Sequence, residues 1–274
     1  RNSAATRVNA QGLVENVQIL SSNLVQNGSF SEEGVQEVSN GSFSQEGVQL
    51  VTNGDFSNGS SNWNLGASWS IVNEKAVNNG ASNSFLTQNS IVQNGKSYLV
   101  SFDIADMTQG SLQLRFGSGA IVTESFTSNG TKTSYYVSSG DAINFYSVSG
   151  FDGSIDNCSV REVGQDWTLG TGWSIGEDKA VAVSGASSRL EQSISGLSGK
   201  TCKVSFTLSD YGGSGSVYVD FGSVNSDLIN TNGIHIVYGT FDQDEFELFK
   251  GAAFSGSITN ISVKEVGQNW TLQP

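Results

Sequence analysis

Two repeat periods in one chain constrain its folding more than any local propensity does. Trp63-Asn64-Leu65-Gly66-Ala67-Ser68-Trp69-Ser70-Ile71 returns as Trp167-Thr168-Leu169-Gly170-Thr171-Gly172-Trp173-Ser174-Ile175, an offset of 104 (63 to 167). Glu74-Lys75-Ala76-Val77 on Asp178-Lys179-Ala180-Val181 and Val100-Ser101-Phe102 on Val204-Ser205-Phe206 keep that offset, while Gly153-Ser154-Ile155 meets Gly256-Ser257-Ile258 at 103. The run from Ser159 to Trp167 recurs from Ser262 to Trp270, so a third copy opens at Trp270 and the array is expected to be cut there. A period of this length names tandem units. The expected units are 51–163 and 164–266, with 267–274 as the start of a third repeat or a tail.

The short period lies upstream. Asn27-Gly28-Ser29-Phe30-Ser31, Asn40-Gly41-Ser42-Phe43-Ser44 and Asn53-Gly54-Asp55-Phe56-Ser57 follow one another at 13 residues (30 to 43 to 56), and two of them carry the same tail, Glu33 to Gln36 and Glu46 to Gln49. Thirteen residues cannot bury a core alone, so these units need partners, either the neighbouring domain or copies of the segment in other subunits. Residues 1–50 are read as an N-terminal stalk and oligomerisation segment. Within it, Leu13, Val17, Leu20 and Leu24 suit a short helical stripe, and the alternation of Val17 with Ile19 suits a strand equally.

Each long copy alternates apolar and polar residues, as in Ser97-Tyr98-Leu99-Val100-Ser101-Phe102 and Ser216-Val217-Tyr218-Val219-Asp220-Phe221, with Gly-containing breaks at strand-length intervals. The fold class is therefore all-β: tandem antiparallel β-sandwich (jelly-roll) domains preceded by an extended stalk. Thirteen basic against twenty-six acidic side chains, a formal charge of −13, repel nucleic acid. No apolar run reaches the roughly 18 residues needed for membrane insertion.

Candidate sites follow from comparing the copies. Paired carboxylates are the usual machinery of glycan cleavage, yet Asp103 becomes Thr207 and Asp220 stands where the first copy has Arg115, so no catalytic residue is assigned and the chain is read as a non-enzyme. Neither a cofactor nor a metal is assigned. Asp55 and Asp156 suggest calcium in the first copy, but Thr259 replaces Asp156 in the second. His235, between Ile234 and Ile236 on an expected strand, points opposite to them and reads as a surface or satisfied histidine. Cys158 and Cys202 align with Ile261 and Tyr98, which makes them core fillers ahead of a disulfide joining the two domains. For Trp63, Trp69, Trp167 and Trp173 two readings stand: rings that cover the end of a core, or rings that stack on a pyranose. Tyr211, Tyr238, Tyr135 and Tyr136 are further aromatics that could flank a sugar. The carbohydrate-binding set is Trp63, Trp69, Trp167, Trp173 and Tyr211.

The opening Arg1-Asn2-Ser3-Ala4-Ala5-Thr6-Arg7-Val8-Asn9-Ala10-Gln11-Gly12-Leu13-Val14-Glu15 resembles a segment of structural and fibre proteins of tailed bacteriophages. The Leu50 to Phe56 start, the Trp-to-Gly-Trp-Ser-Ile element and the Ile155-Asp156-Asn157-Cys158-Ser159-Val160 close are similar to carbohydrate-binding-module jelly rolls carried in tandem by such proteins. The resemblance implies a virion structural protein of fibre or appendage type on the outside of the particle. It implies a homo-oligomer, a trimer, that contacts other virion proteins and serves as spacer and weak glycan-binding adhesin at the host surface. The alternatives are carbohydrate-binding modules of a secreted glycan-degrading enzyme and a bacterial surface adhesin.

Overall fold

In the computed structural model, which describes residues 6–16, 26–81, 83–117, 121–268 and 270, the described residues form strands and turns without a helix. No helix long and apolar enough to cross a membrane is therefore present among them. Alternation decides which way each strand faces. In Ser97–Phe116, Tyr98, Val100, Phe102 and Ile104 enter the core while Leu99, Ser101 and Asp103 stay half-exposed.

Two antiparallel sandwiches follow one another. In the first, Ser97–Phe116 and Ile143–Val163 pair along almost their whole length, from Ser97 opposite Val163 to Phe116 opposite Ile143. They pass from one layer to the other. The first layer adds Gly130–Val137 on one side and Lys75–Asn79 with Trp69–Val72 on the other. The second adds Ile121–Phe126, Phe85–Gln88 and Asn64–Leu65. The corner uses left-handed backbone at Asp106, Gly110, Ser149 and Gly150. At Gly110 a Cβ would stand 2.3 Å from the Phe151 nitrogen, so only glycine turns there. In the second sandwich the same path is broken into Thr201–Ser209 and Val217–Asp220, and into Glu245–Lys250 and Gly256–Val266, leaving separate sheets of six and four strands. The cores are separate too, one per sandwich.

The 13-residue units find their partners inside the chain. Glu33–Gln36 pairs with Gly256–Val266 of the second sandwich, and Glu46–Gln49 with Ile143–Val163 of the first. The physical reason is an open edge. Lys179–Ala182 covers only Gly256 to Ile258, and the unit strand fills the remainder of that edge. Residues 33–50 thus take the neighbouring domains as partners, the first of the two alternatives open to them, within the stretch read as an N-terminal stalk and oligomerisation segment. Residues 6–16 form a hairpin of Thr6–Val8 with Val14–Asn16, and the helix-or-strand question over Val17 to Leu24 lies outside the described residues.

Each unit then repeats one set of contacts. Phe43 packs 5.1 Å from Trp167, whose indole donates to the Asn40 carbonyl at 3.1 Å. Phe56 packs 5.2 Å from Trp63, whose indole donates to the Asn53 carbonyl at 3.0 Å. The Gln192 amide clasps the Ser39 backbone at 2.6 and 3.0 Å, and Gln88 clasps Thr52 at 2.8 and 2.9 Å. The first unit reaches Trp270: Phe30 lies 5.1 Å from that ring, and the indole donates to the Gln26 carbonyl at 3.1 Å. All three units share left-handed Asn and Phe residues, with φ of 47° and 56°, 46° and 59°, and 56° and 51° in chain order. For the Asn–Phe turns the order is nested, Phe56 of the last unit serving the first sandwich and Phe43 of the middle unit the second, while the middle unit's tail, Glu46–Gln49, pairs with the first.

The glycine of the motif is dictated by this docking. A Cβ at Gly41 or Gly54 would stand 2.1 Å from the carbonyl oxygen of Ile261 or Cys158 respectively. Gly41→Ala is expected to destabilise the second sandwich by about 1–3 kcal/mol through overpacking, and Gly54→Ala the first. Denaturant titration with hydrogen exchange resolved by sandwich checks this; equal effects on both would contradict it.

Candidate ligand-binding faces

The four tryptophans are buried and offer almost no surface to a ligand. Trp63, Trp69, Trp167 and Trp173 are each 5% exposed, and their faces are used by Phe56 and Phe145, by Phe151, and by Phe43 and Phe246 for the first three. A ring enclosed by other side chains has no face left for a pyranose, so these residues close the cores. Tyr211 stacks on Phe254 and donates its hydroxyl to the Gly215 carbonyl at 2.9 Å, half-buried against the second core.

The other aromatics separate. Tyr136 turns inward to Phe116 and donates to Glu124 Oε2 at 2.9 Å. Tyr135 lies between the sandwiches, where burial and the nearby carboxylates of Asp178, Glu46 and Glu177 push its phenol upward. Tyr238 is exposed. His235 points opposite to Ile234 and Ile236 as expected, but it is the inward residue of the three: its ring meets Phe206 at 5.7 Å and Nε2 lies 2.7 Å from the Thr231 carbonyl.

The polar candidates are satisfied locally. Asp55 accepts from the Ser57 amide and hydroxyl, which hold its carboxyl below the usual range, and Asp156 accepts from the Asn157 amide at 2.7 Å. No group of three or more His, Cys, Asp or Glu suited to a metal occurs among the described residues. Cys158 and Cys202 are free and buried in different cores; burial pushes the first thiol well up and the second up to about 12. Burial of this kind disfavours the thiolate, the reactive form of the side chain.

An outward aromatic cluster takes the place of the tryptophans. Phe85, from Phe85–Gln88, and Tyr146, from Ile143–Val163, are cross-strand partners whose rings lie 4.4 Å apart. The Arg115 guanidinium covers the Tyr146 ring at 3.8 Å and is oriented by Gln113 Oε1, to which Nη2 donates at 2.6 Å. The Tyr146 hydroxyl donates to Asn83 Oδ1 at 2.5 Å, and Thr87 donates to Asn144 Oδ1 at 2.7 Å. Phe85 and Thr87 line two open grooves, one of about 450 Å³ with Asn64, Ser68, Ala81 and Asn83, and one of about 320 Å³ with Asn89, Asp141 and Asn144. Amides and hydroxyls that both donate and accept, beside rings held rigid by a cation, match a ligand with many hydroxyls and an apolar C–H face.

The second sandwich presents a different chemistry in the same place. Arg189 stands where the first has Phe85, 5.6 Å over Phe249, which stacks on Tyr218 at 4.9 Å. Arg189 pairs with Glu247 at 2.7 Å and approaches Asp220 at 3.8 Å, yet burial and the neighbouring Asp220 and Glu191 still hold Glu247 above the usual carboxylate range. Phe85 and Tyr146 escaped the sequence reading because Phe85-Leu86 and Phe145-Tyr146 alternate equally well in either phase; only the pairing of Phe85 with Tyr146 puts both outside.

No family model and no curated protein sequence matches the chain. Similar solved structures include tandem family 51 carbohydrate-binding modules of the family 98 glycoside hydrolase from Streptococcus pneumoniae, with 10% identity, a TM-score of 0.26, and 70% of this chain and 84% of that one covered. Allantoicase from Saccharomyces cerevisiae has 9% identity and a TM-score of 0.26 over 71% and 82% of the two chains. The CUB1-EGF-CUB2 domains of human MASP-1/3 have 9% identity and a TM-score of 0.23 over 75% and 100%.

Proposed function

We propose that this chain is a non-catalytic spacer and glycan-binding segment of a fibre-type appendage on a phage particle, with the Phe85, Tyr146 and Arg115 face of the first sandwich as its binding surface. The observation behind the binding role is that face: two outward rings fixed by a guanidinium and bordered by amide-lined grooves. The appendage role rests on the resemblance of residues 1–15 to phage fibre proteins. The ligand is a neutral oligosaccharide, one sugar ring lying against the half-buried Phe85, beside which Tyr146 and Arg115 are packed, and its hydroxyls reaching Asn83 and Thr87. Such stacking contributes about 0.5–1.5 kcal/mol per ring, so binding is weak per chain and becomes useful through multiple copies.

The test is a glycan array followed by titration of any hit. Tyr146→Ala is expected to weaken binding about three- to tenfold while the fold is retained, and Phe249→Ala in the second sandwich to leave the hit unchanged. Absence of any hit, or binding indifferent to Tyr146→Ala, removes the binding role and leaves the spacer. An antibody against the chain that fails to decorate purified particles removes the appendage.

A further inference from the structure

The contact between the two sandwiches is head-to-tail, so among the described residues one half of the same contact is left uncovered on each sandwich. At the junction, Trp173–Gly176, paired in a hairpin with Lys179–Ala182 of the second sandwich, meets Ser97–Phe116 and Gly130–Val137 of the first. The Ile175 amide donates to Ser97 Oγ at 3.3 Å, and Leu99 and Tyr135 pack against the second core. A Cβ built on Gly176 would stand 3.9 Å from that of Tyr135, an ordinary contact.

Both unused halves carry apolar residues. The first sandwich has the equivalent hairpin, Trp69–Val72 and Lys75–Asn79, with the same left-handed pair at its tip (Asn73 and Glu74, φ 49° and 58°, against Glu177 and Asp178, 51° and 58°) and with Val72 exposed. The second sandwich has the equivalent outer face, where Tyr238 replaces Tyr135 and is 62% exposed, beside Ile236 at 52% and Ile234 at 75%. The register of Gly233–Thr240 on Thr201–Ser209 fixes these three outward, because His235 and Val237 are the residues opposite Phe206 and Val204. At the position of Leu99 this face has Lys203, held by Glu33 at 2.6 Å with Lys264 beside it at 3.1 Å.

We propose that the Tyr238, Ile236 and Ile234 face of one chain receives the Val72 to Lys75 hairpin tip of a second copy, repeating between chains the contact made within each chain. A heterologous contact of this kind propagates unless its rotation closes a ring, so the product is an end-to-end array of sandwiches. This goes beyond the glycan reading and does not depend on it.

Sedimentation velocity of the intact chain over a concentration series is the test. Expected is concentration-dependent growth past the dimer, weakened at least tenfold by Tyr238→Ser or by Val72→Asp. Both positions are exposed, so each variant keeps its fold by circular dichroism. Mixing the two variants restores one contact only, giving a heterodimer that grows no further. A chain that stays monomeric up to about 1 mM, association indifferent to both substitutions, or a mixture that grows without limit overturns the proposal and leaves the face to another occupant, such as a further sandwich entered through Trp270.

Discussion

Phe43→Ala melts the second sandwich and spares the first. Phe43 lies thirteen residues from Phe56 in sequence, but it belongs to the core of Trp167, Phe206 and Phe246, where it is 1% exposed. Truncating a buried Phe costs roughly 3–5 kcal/mol in lost transfer energy and cavity, which for a unit of this size lowers its midpoint by about 12 °C or more. Phe56→Ala does the same to the first sandwich, whose core holds Phe56. Phe30→Ala is the internal control: its ring is 57% exposed against a Trp270 that is 42% exposed, and its substitution stays within about 0.5 kcal/mol. Differential scanning calorimetry, with hydrogen exchange to assign each transition, reads the three variants. Equal shifts of both transitions by Phe43→Ala would sink the nested assignment of units to sandwiches.

Lys250 carries the second large effect. Its side chain is fully buried in the second sandwich, and Nζ donates to the carbonyls of Val183 at 3.0 Å and Ala186 at 2.6 Å with no carboxylate at either bond. The first sandwich has Ser147 at this place, its hydroxyl directed to the Ser84 carbonyl at 3.3 Å. Lys250→Ala removes the stem and leaves both carbonyls without a donor, a loss of roughly 2–5 kcal/mol. Burial pushes the Lys250 amine below its ordinary value. The unfolded chain therefore holds this proton to higher pH than the folded one does, and the contribution of Lys250 to stability rises with pH between the folded and unfolded pKa values. Urea titrations of the wild type and Lys250→Met across the alkaline range measure it; a difference that falls as pH rises would contradict the burial.

How legible these features were depended on the range of the interaction behind each one. Strand alternation and the offset of 104 gave the fold class, two sandwiches and the equivalence of Trp63 with Trp167. The need of the short units for partners was also legible. Which partners they take was not, because the bond between Glu33–Gln36 and a strand ending at Val266 spans almost the entire chain. One clue lay unused in the sequence: three short units face three repeats of the tryptophan motif, at Trp63, Trp167 and Trp270.

The candidate site was less legible, for a geometric reason. An isolated tryptophan reads equally as a binding ring or as a core ring, and only its neighbours in space decide. Likewise Ile234-His235-Ile236 sets the histidine opposite the two isoleucines without saying which side is inward, and pairing with Thr201–Ser209 turns His235 in and both isoleucines out.

From its own residues, the chain determined a β-rich tandem of two units, because periodicity and internal repetition are written locally and need no partner to be read. The tertiary structure alone decided which face of each strand is buried, that the N-terminal units complete the sandwiches in reverse order, and that Phe85 and Tyr146 lie half-buried on an outer face while Tyr238 is exposed. Those outcomes depend on register between segments far apart in the chain, where a shift of one residue exchanges inside for outside.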